Sequence, residues 1–194
     1  MEPQRRLPHL YPQDKLLFLT WHLYGSIPRN LYPPPGKQNA GQAFVWMDRY
    51  LDTARTGPLC LGQEPIAALV QASIYYGAQE LKYYDLSAYV IMANHVHLLV
   101  FPRSVPSRFL QTLKGYTARQ ANLVLNRTGH PFWQSESYDH WVRNDGEGER
   151  IKSYIENNPV KAGLVRNVED YRWSSAWRGQ PGLQSREPSR LSIP

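Results

Sequence analysis

The hydrophobic and polar positions along the chain predict four strands and four helices. Runs rich in aromatic and apolar residues indicate the strands, which we place at 16–24, 86–92, 95–101 and 137–144. Apolar positions at helical spacing place the helices at 43–56, 65–82, 105–127 and from 144 or 145 to 158. We end the last helix at Asn158 because Pro159 disfavours helical geometry in the residue before it. The order β-α-α-β-β-α-β-α is typical of a single α+β domain with a mostly antiparallel sheet.

The stretches between and beyond these elements predict one domain without an internal linker. Residues 27–42 form a predicted loop, since their prolines remove backbone donors and fix φ. We expect residues 1–177 to form the domain and residues 178–194, which show no apolar period, to form a flexible tail. The N-terminal residues lack the apolar stretch of a signal peptide, and no run approaches the roughly 18 apolar residues of a membrane helix. We therefore expect no membrane partner.

The composition narrows the class of partner. The chain has 194 residues, of which 42% are hydrophobic and 20% charged, so it can bury a core and is not expected to be disordered throughout. Lys and Arg number 22 against 16 acidic residues, and the net charge of +6 favours a polyanion, with nucleic acid preferred over membrane. The single cysteine, Cys60, cannot form an intramolecular disulfide, which agrees with a reducing, cytoplasmic location.

A histidine pair in the segment 92–100 is the sharpest candidate for chemistry. Alternate side chains of a strand share a face, so His95 and His97 should lie together, opposite the apolar residues that alternate with them. Two neighbouring imidazoles can hold a divalent metal ion, with a third ligand from an Asp, Glu, Asn, Gln or another His. The alternative, two partly exposed histidines without a metal, fits the spacing equally well.

A tyrosine and an asparagine share one face of the last predicted helix. Tyr154 and Asn158 are four residues apart, within an inward stripe that also holds Ile151 and Ile155. One helix could therefore deliver a nucleophile and a metal ligand together. The alternative is a core tyrosine followed by an asparagine that closes the turn before Pro159.

The segment 101–130 contains five basic residues and no acid. Within its helix we expect Phe109, Leu113 and Tyr116 to pack inward and the charged side chains to face outward. The basic side chains placed for phosphate contacts are Arg108, Lys114 and Arg119. A solvated charged face is the alternative. Just beyond, Trp133 could stack on an unpaired base or pack in the core.

Several ordered motifs together resemble the single-tyrosine HUH transposases of bacterial insertion sequences, and in particular the REP-associated tyrosine transposases. The resemblance spans about residues 16–177. Its specific parts are MANHVHLL at 92–99, FWQ at 132–134, YD at 138–139, YIENNPVKAG at 154–163 and WSS at 173–175. The chain departs from the family at Ala93, where proline is common. The resemblance implies a ferredoxin-like antiparallel sheet flanked by helices.

The same resemblance implies a function. It implies that His95, His97 and Asn158 bind Mg²⁺ or Mn²⁺ and that Tyr154 attacks a phosphodiester to form a 5′-phosphotyrosine. The expected substrate is single-stranded DNA near a hairpin formed by a REP-like palindrome, cut and rejoined by a monomer or a homodimer. The expected DNA contacts are Arg108, Lys114, Arg119, Trp133 and Lys161.

Two other functions remain open on the residues alone. One is a nucleic-acid-binding module that keeps the sheet and does no chemistry. The other is a metal-dependent phosphodiesterase in which water attacks and Tyr154 only packs. A covalent protein–DNA adduct distinguishes the transposase from both.

Overall fold

The strands form one antiparallel sheet with a ferredoxin-like order. The computed structural model describes residues 15–28, 31, 40–54 and 56–179. Its strands are β1 (Leu17–His22), β2 (Tyr84–Ile91), β3 (His95–Pro102) and β4 (Tyr138–Trp141). They lie in the order β2-β3-β1-β4, and all three neighbouring pairs are antiparallel. This arrangement confirms the predicted α+β fold.

Four helices flank the sheet, and each lies close to its predicted position. They are α1 (Ala40–Thr53), α2 (Glu64–Gln79), α3 (Pro106–Val124) and α4 (Asp145–Lys161). Short 3₁₀ turns occur at Cys60–Gly62 and Val168–Asp170. Most of the predicted loop at 27–42 and of the predicted tail at 178–194 lies outside the described residues. Among the described residues, no helix has both the length and the apolar character needed to cross a membrane.

Both faces of the sheet are covered, which explains why β1 is buried along its whole length. On one face, Leu17, Leu19 and Trp21 pack with α2 and α3. On the other face, Phe18 packs with side chains of α1 and α4, including Phe44. The two-residue alternation of a strand therefore sends β1 side chains into two separate cores.

The predicted end of α4 was wrong. The helix continues through Pro159 to Lys161. Proline removes one backbone donor, but this loss falls in the last turn, and Ala162 N–H still bonds Asn158 O at 2.9 Å. Gly163, two residues after the end of the helix, has a φ of +72°, the left-handed conformation that commonly terminates helices.

Candidate active site

Strand pairing places the two histidines on one face of the sheet. In the β1–β3 register, His97 lies opposite Thr20 and His95 opposite His22. The two imidazoles approach so closely that Nε2 of His95 lies 3.1 Å from Nε2 of His97. The predicted shared face is therefore confirmed. The partial exposure that the alternative assumed is wrong, because both histidines are fully buried beneath α1 and α4.

Neighbouring side chains fix the orientation of both imidazoles. Thr20 Oγ1 lies 2.7 Å from Nδ1 of His97, and Asn94 Oδ1 lies 2.6 Å from Nδ1 of His95. When each Nδ1–H donates to its oxygen, each Nε2 presents a lone pair to the site. Burial lowers the pKa of His95 well below its usual value, so this imidazole is held in the neutral form that binds metals.

Helix α4 brings Tyr154 and Asn158 to the histidines, as their spacing of four residues predicted. Asn158 is fully buried, and its Nδ2 lies 3.2 Å from Nε2 of His97. Its Oδ1 is buried without a hydrogen-bond partner, and rotation of the amide would turn this oxygen toward the imidazoles. The ring of Tyr154 lies 5.7 Å from that of His97, measured between centroids. Sheet and helix thus supply four polar groups to one small volume.

Helix α1 adds two carboxylates that the sequence analysis did not single out. The Tyr154 hydroxyl donates a short hydrogen bond to Asp48 Oδ2, while Asp48 Oδ1 lies 3.1 Å from Nε2 of His97. One turn later, Asp52 Oδ1 lies 3.5 Å from Nε2 of His95. Burial and the neighbouring charge of Asp48 raise the pKa of Asp52 to about 7. The spacing of the two acids puts them on one helix face, but nothing in the sequence indicates that this face meets β3.

The donor atoms of this cluster fit a divalent metal ion. Atoms able to coordinate from Asp48, His95 and His97 lie within 4.8 Å of one another, and all three residues are buried. The unpartnered oxygen of Asn158 would join these atoms on rotation of its amide, whose nitrogen lies 3.2 Å from Nε2 of His97. Neutral imidazole together with carboxylate or amide oxygen is a donor set used by divalent cations.

Comparison with known proteins finds a family that is similar to the middle of this chain. Residues 65–158 match the family model described as "Transposase IS200 like". This segment of the chain is therefore similar to the IS200-like transposases. The matched residues include His95, His97, Tyr154 and Asn158, whereas β1 and α1 precede them. The resemblance to transposases inferred from the motifs is thereby confirmed.

One solved structure shares the fold of this chain, and a second is similar to a lesser degree. A REP-associated tyrosine transposase bound to a REP hairpin is 18% identical, with a TM-score of 0.56, covering 87% of this chain and 80% of the other. A protein named as a transposase from Deinococcus radiodurans R1 is also 18% identical, covering 78% of this chain and 96% of the other, with a TM-score of 0.43. No curated protein sequence matches the chain.

Three of the expected DNA-binding residues of the transposase carry exposed charges. Arg108 and Arg119 are exposed on α3, and Lys161 is exposed at the end of α4. Lys161 Nζ lies 4.4 Å from the centroid of the Tyr154 ring, so its charge is beside the candidate nucleophile. By contrast, α3 packs on the sheet face opposite the histidines. DNA held by α3 would have to pass around the sheet to reach Tyr154.

Two other side chains expected to contact DNA already donate hydrogen bonds within the protein. Trp133 is 8% exposed and its Nε1–H donates to Thr117 Oγ1 at 2.9 Å, so it offers no free face to a base. Lys114 Nζ donates to the carbonyls of Gln134 and Ser135 at 2.7 and 3.1 Å. Burial lowers the pKa of Lys114 to about 8. These contacts favour the core alternative for Trp133, whose stacking on DNA stays a prediction, and they give Lys114 a structural role that the sequence did not reveal.

The inward packing expected for Tyr116 was also wrong. Its side chain is 49% exposed on α3, whereas Phe109 and Leu113 are buried as expected. The two buried residues define the inward side of the helix, and Tyr116 lies at the edge of this stripe. Because α3 lies across the sheet from the histidines, Tyr116 is far from the candidate metal site.

Proposed function

We propose that this transposase cuts and rejoins one strand of DNA through a covalent bond between Tyr154 and a 5′-phosphate. The observation that carries the proposal is the meeting of the Tyr154 phenol, the two Nε2 atoms and the Asn158 amide in one cluster. These groups come from β3 and α4, which are far apart in sequence, and all lie within the matched family region. A phosphate in contact with the hydroxyl would also be in contact with the metal ligands.

The residues that would hold Mg²⁺ or Mn²⁺ are His95, His97 and Asn158. When bound, such an ion offsets the charge of the phosphate and polarises the P–O bond. Thr20 and Asn94 fix the orientation of the imidazoles, and when each accepts the Nδ1–H of its partner, both Nε2 atoms are free to bind the ion. Since Asn158 and Tyr154 are one turn apart, helix α4 fixes the distance between nucleophile and ligand.

The covalent step exchanges one phosphate ester for another. The Tyr154 oxygen forms a bond to phosphorus, the bond from phosphorus to the 3′-oxygen breaks, and the phenol proton ends on the released 3′-hydroxyl. A phenol with an ordinary pKa near 10 is a poor nucleophile at neutral pH. The ammonium of Lys161 above the ring favours the phenolate electrostatically. The phosphotyrosine retains the energy of the ester, so a 3′-hydroxyl can rejoin the strand without a nucleotide cofactor.

The proposed substrate is single-stranded DNA that carries a hairpin, met in the cytoplasm. A solved relative of the same fold is described as bound to a REP hairpin. The net charge of +6 and the exposed Arg108, Arg119 and Lys161 provide the means to bind a phosphate backbone. Either a monomer or a homodimer would serve this chemistry.

The decisive experiment is detection of the covalent adduct. The protein is incubated with a panel of single-stranded hairpin oligonucleotides and Mn²⁺, and the modified peptide is identified by mass spectrometry. We expect the DNA on Tyr154, no adduct from Tyr154→Phe, and undiminished adduct from the matched variant Tyr116→Phe. Tyr138→Phe is the further control, since Tyr138 is buried against Phe44, with ring centroids 4.2 Å apart.

Other outcomes would assign a different function. Metal-dependent cleavage without an adduct would indicate attack by water, and binding without cleavage would indicate a binding module. An adduct that persists in Tyr154→Phe would move the nucleophile elsewhere. Thermal unfolding of each variant establishes that the loss of product does not reflect loss of the fold.

A further inference from the structure

Helix α1 closes the candidate active site from solvent. The side chains of His95, His97 and Asn158 are fully buried, and Asp48, which lies over them, is only 6% exposed. A phosphodiester that reacts with Tyr154 must reach the volume these residues enclose. In the conformation described, α1 occupies the approach to that volume.

The polar contacts of α1 are made with the site itself. Asp48 accepts from Tyr154 and approaches His97, and Asp52 approaches His95. The carbonyl of Leu51 accepts a hydrogen bond of 3.0 Å from Asn94, the same residue that orients His95. Movement of α1 would therefore change the surroundings of every catalytic group at once.

Asp48 occupies a position that the substrate needs. One of its oxygens accepts from the nucleophilic hydroxyl, and the other lies beside Nε2 of His97. The oxygens of a reacting phosphate must be close to the same two groups. A carboxylate and a phosphodiester are both anions and repel each other at such distances. The phosphate therefore cannot bind while α1 stays in this position.

Buried polar atoms lower the stability of the position in which α1 covers the site. Asp52 Oδ1 and Asn158 Oδ1 are buried without hydrogen-bond partners among the described residues, and buried oxygens of this kind oppose closure. Two apolar side chains hold α1 in place: Phe44 stacks on Tyr138 and meets Phe18 edge-on, and Leu51 is 2% exposed.

We infer that α1 is a cover over the active site, that Asp48 holds the place of the scissile phosphate, and that single-stranded DNA binds by displacing α1. This inference rests on the proposed function for the identity of the displacing ligand. The covering itself does not depend on DNA, so the two can be tested separately.

The first experiment measures access to the histidines without DNA. Wild-type protein is treated with diethyl pyrocarbonate, and modification of His95 and His97 is compared by mass spectrometry with that of exposed His130. We expect the buried pair to react at least about tenfold more slowly, as for groups exposed only by local opening. Phe44→Ala, which removes the ring contacts of α1 with Phe18 and Tyr138 and leaves the ligands intact, should accelerate their modification. Equal rates in the wild type, or no change in a folded Phe44→Ala, would overturn the cover.

The second experiment follows α1 when DNA binds. Hydrogen exchange of the wild-type protein is measured in EDTA, so that no strand is cut, with and without a single-stranded hairpin oligonucleotide. We expect the amides of α1 to lose protection while those of α2, across the sheet, keep theirs. Unchanged or increased protection of α1 in the DNA complex would overturn the displacement. Failure of every oligonucleotide to bind would count against the proposed function. The rates of histidine modification in the first experiment would still show whether α1 covers the site.

Replacing Asp48 by an uncharged residue tests whether its carboxylate competes with DNA or assists the binding of DNA. Asp48→Asn should tighten oligonucleotide binding several-fold in EDTA, because the anion that competes with phosphate is removed. The matched control is Glu80→Gln, which changes the net charge equally at an exposed position at the end of α2. Equal tightening in both variants, or weaker binding in Asp48→Asn, would contradict the place assigned to Asp48.

Discussion

Nε2 of His95 lies 3.1 Å from Nε2 of His97, although the two side chains are fully buried and each Nδ1 already has an oxygen partner. When each Nδ1–H donates to its oxygen partner, the two Nε2 lone pairs are directed at each other, and a cation bound by both would relieve their repulsion. The distance between the two Nε2 atoms therefore suits a shared cation. It also means that truncation of either histidine removes a buried group, so the cost to stability exceeds the roughly 0.5 kcal/mol typical of surface positions.

Mn²⁺ should stabilise the folded protein through this pair. At a concentration of about 100 times Kd, binding to the folded state adds about 2.7 kcal/mol, which corresponds to a rise in Tm of about 5–10 °C for a chain of this size. Thermal unfolding with and without Mn²⁺ measures the rise. It should disappear in His97→Ala and shrink in Asn158→Ala, each compared with itself in EDTA.

Exposed His130 supplies the control for the metal site. His130→Ala removes an imidazole in the turn after α3, away from the cluster, and should keep the full rise in Tm. A rise that survives in His97→Ala would show that Mn²⁺ binds elsewhere and would remove the metal role from the pair.

The fold was predictable from the sequence because its signals are local. The alternation around His95 and His97 is enough to place both on one face, and the spacing of Tyr154 and Asn158 is enough to place both on one side of α4. The order of the elements then restricts the topology. The end of α4 was missed because a proline in the last turn removes only one hydrogen bond, while Gly163 provides the actual stop.

The rest of the site depends on contacts between distant segments, which leave no local signal. Asp48 is 106 residues from the hydroxyl it binds, and its role follows only from the packing of α1 over β3. From the sequence alone, Trp133 can be either a stacking residue or a core residue. The hydrogen bond to Thr117, which only the structure shows, favours the core. In the same way, the basic segment around Lys114 predicts a contact with phosphate. In the structure, its ammonium instead donates to the Gln134 carbonyl.

Arg119→Ala and Lys114→Ala should therefore differ in what they disturb. Arg119 is exposed, so its loss should reduce the slope of log K against log salt by up to about one for a hairpin oligonucleotide, with a stability change within about 0.5 kcal/mol. Lys114→Ala leaves two carbonyls without a charged donor and should lower the free energy of unfolding by about 1–3 kcal/mol. Salt titrations and urea unfolding of both variants give the comparison. A normal stability of Lys114→Ala would contradict its structural role.

Trp133→Phe tests the core assignment of the tryptophan. The substitution keeps an aromatic ring and loses the bond to Thr117 Oγ1, so the free energy of unfolding should fall by about 1–3 kcal/mol. Oligonucleotide affinity of the folded variant should remain that of the wild type, because the ring is buried beside Trp21 and Phe132. Weaker DNA binding at unchanged stability would restore the stacking role.

His22 should make the fold sensitive to acid. Burial lowers its pKa from 6.5 to about 4, and its Nδ1 lies 2.7 Å from Ser26 Oγ. Between pH 6.5 and 4 the unfolded chain takes up a proton that the folded protein refuses, so stability is lost as the pH falls through this window. The contribution of His22 to the free energy of unfolding changes by about 2–3 kcal/mol between pH 7 and 4.5.

Urea unfolding at the two pH values should show a correspondingly smaller loss of stability for His22→Gln, which retains a polar side chain but does not titrate. His95, whose pKa is lowered in the same direction, keeps part of the acid sensitivity in both proteins. Identical losses in the two proteins would show that His22 takes up its proton equally readily in the folded and unfolded states.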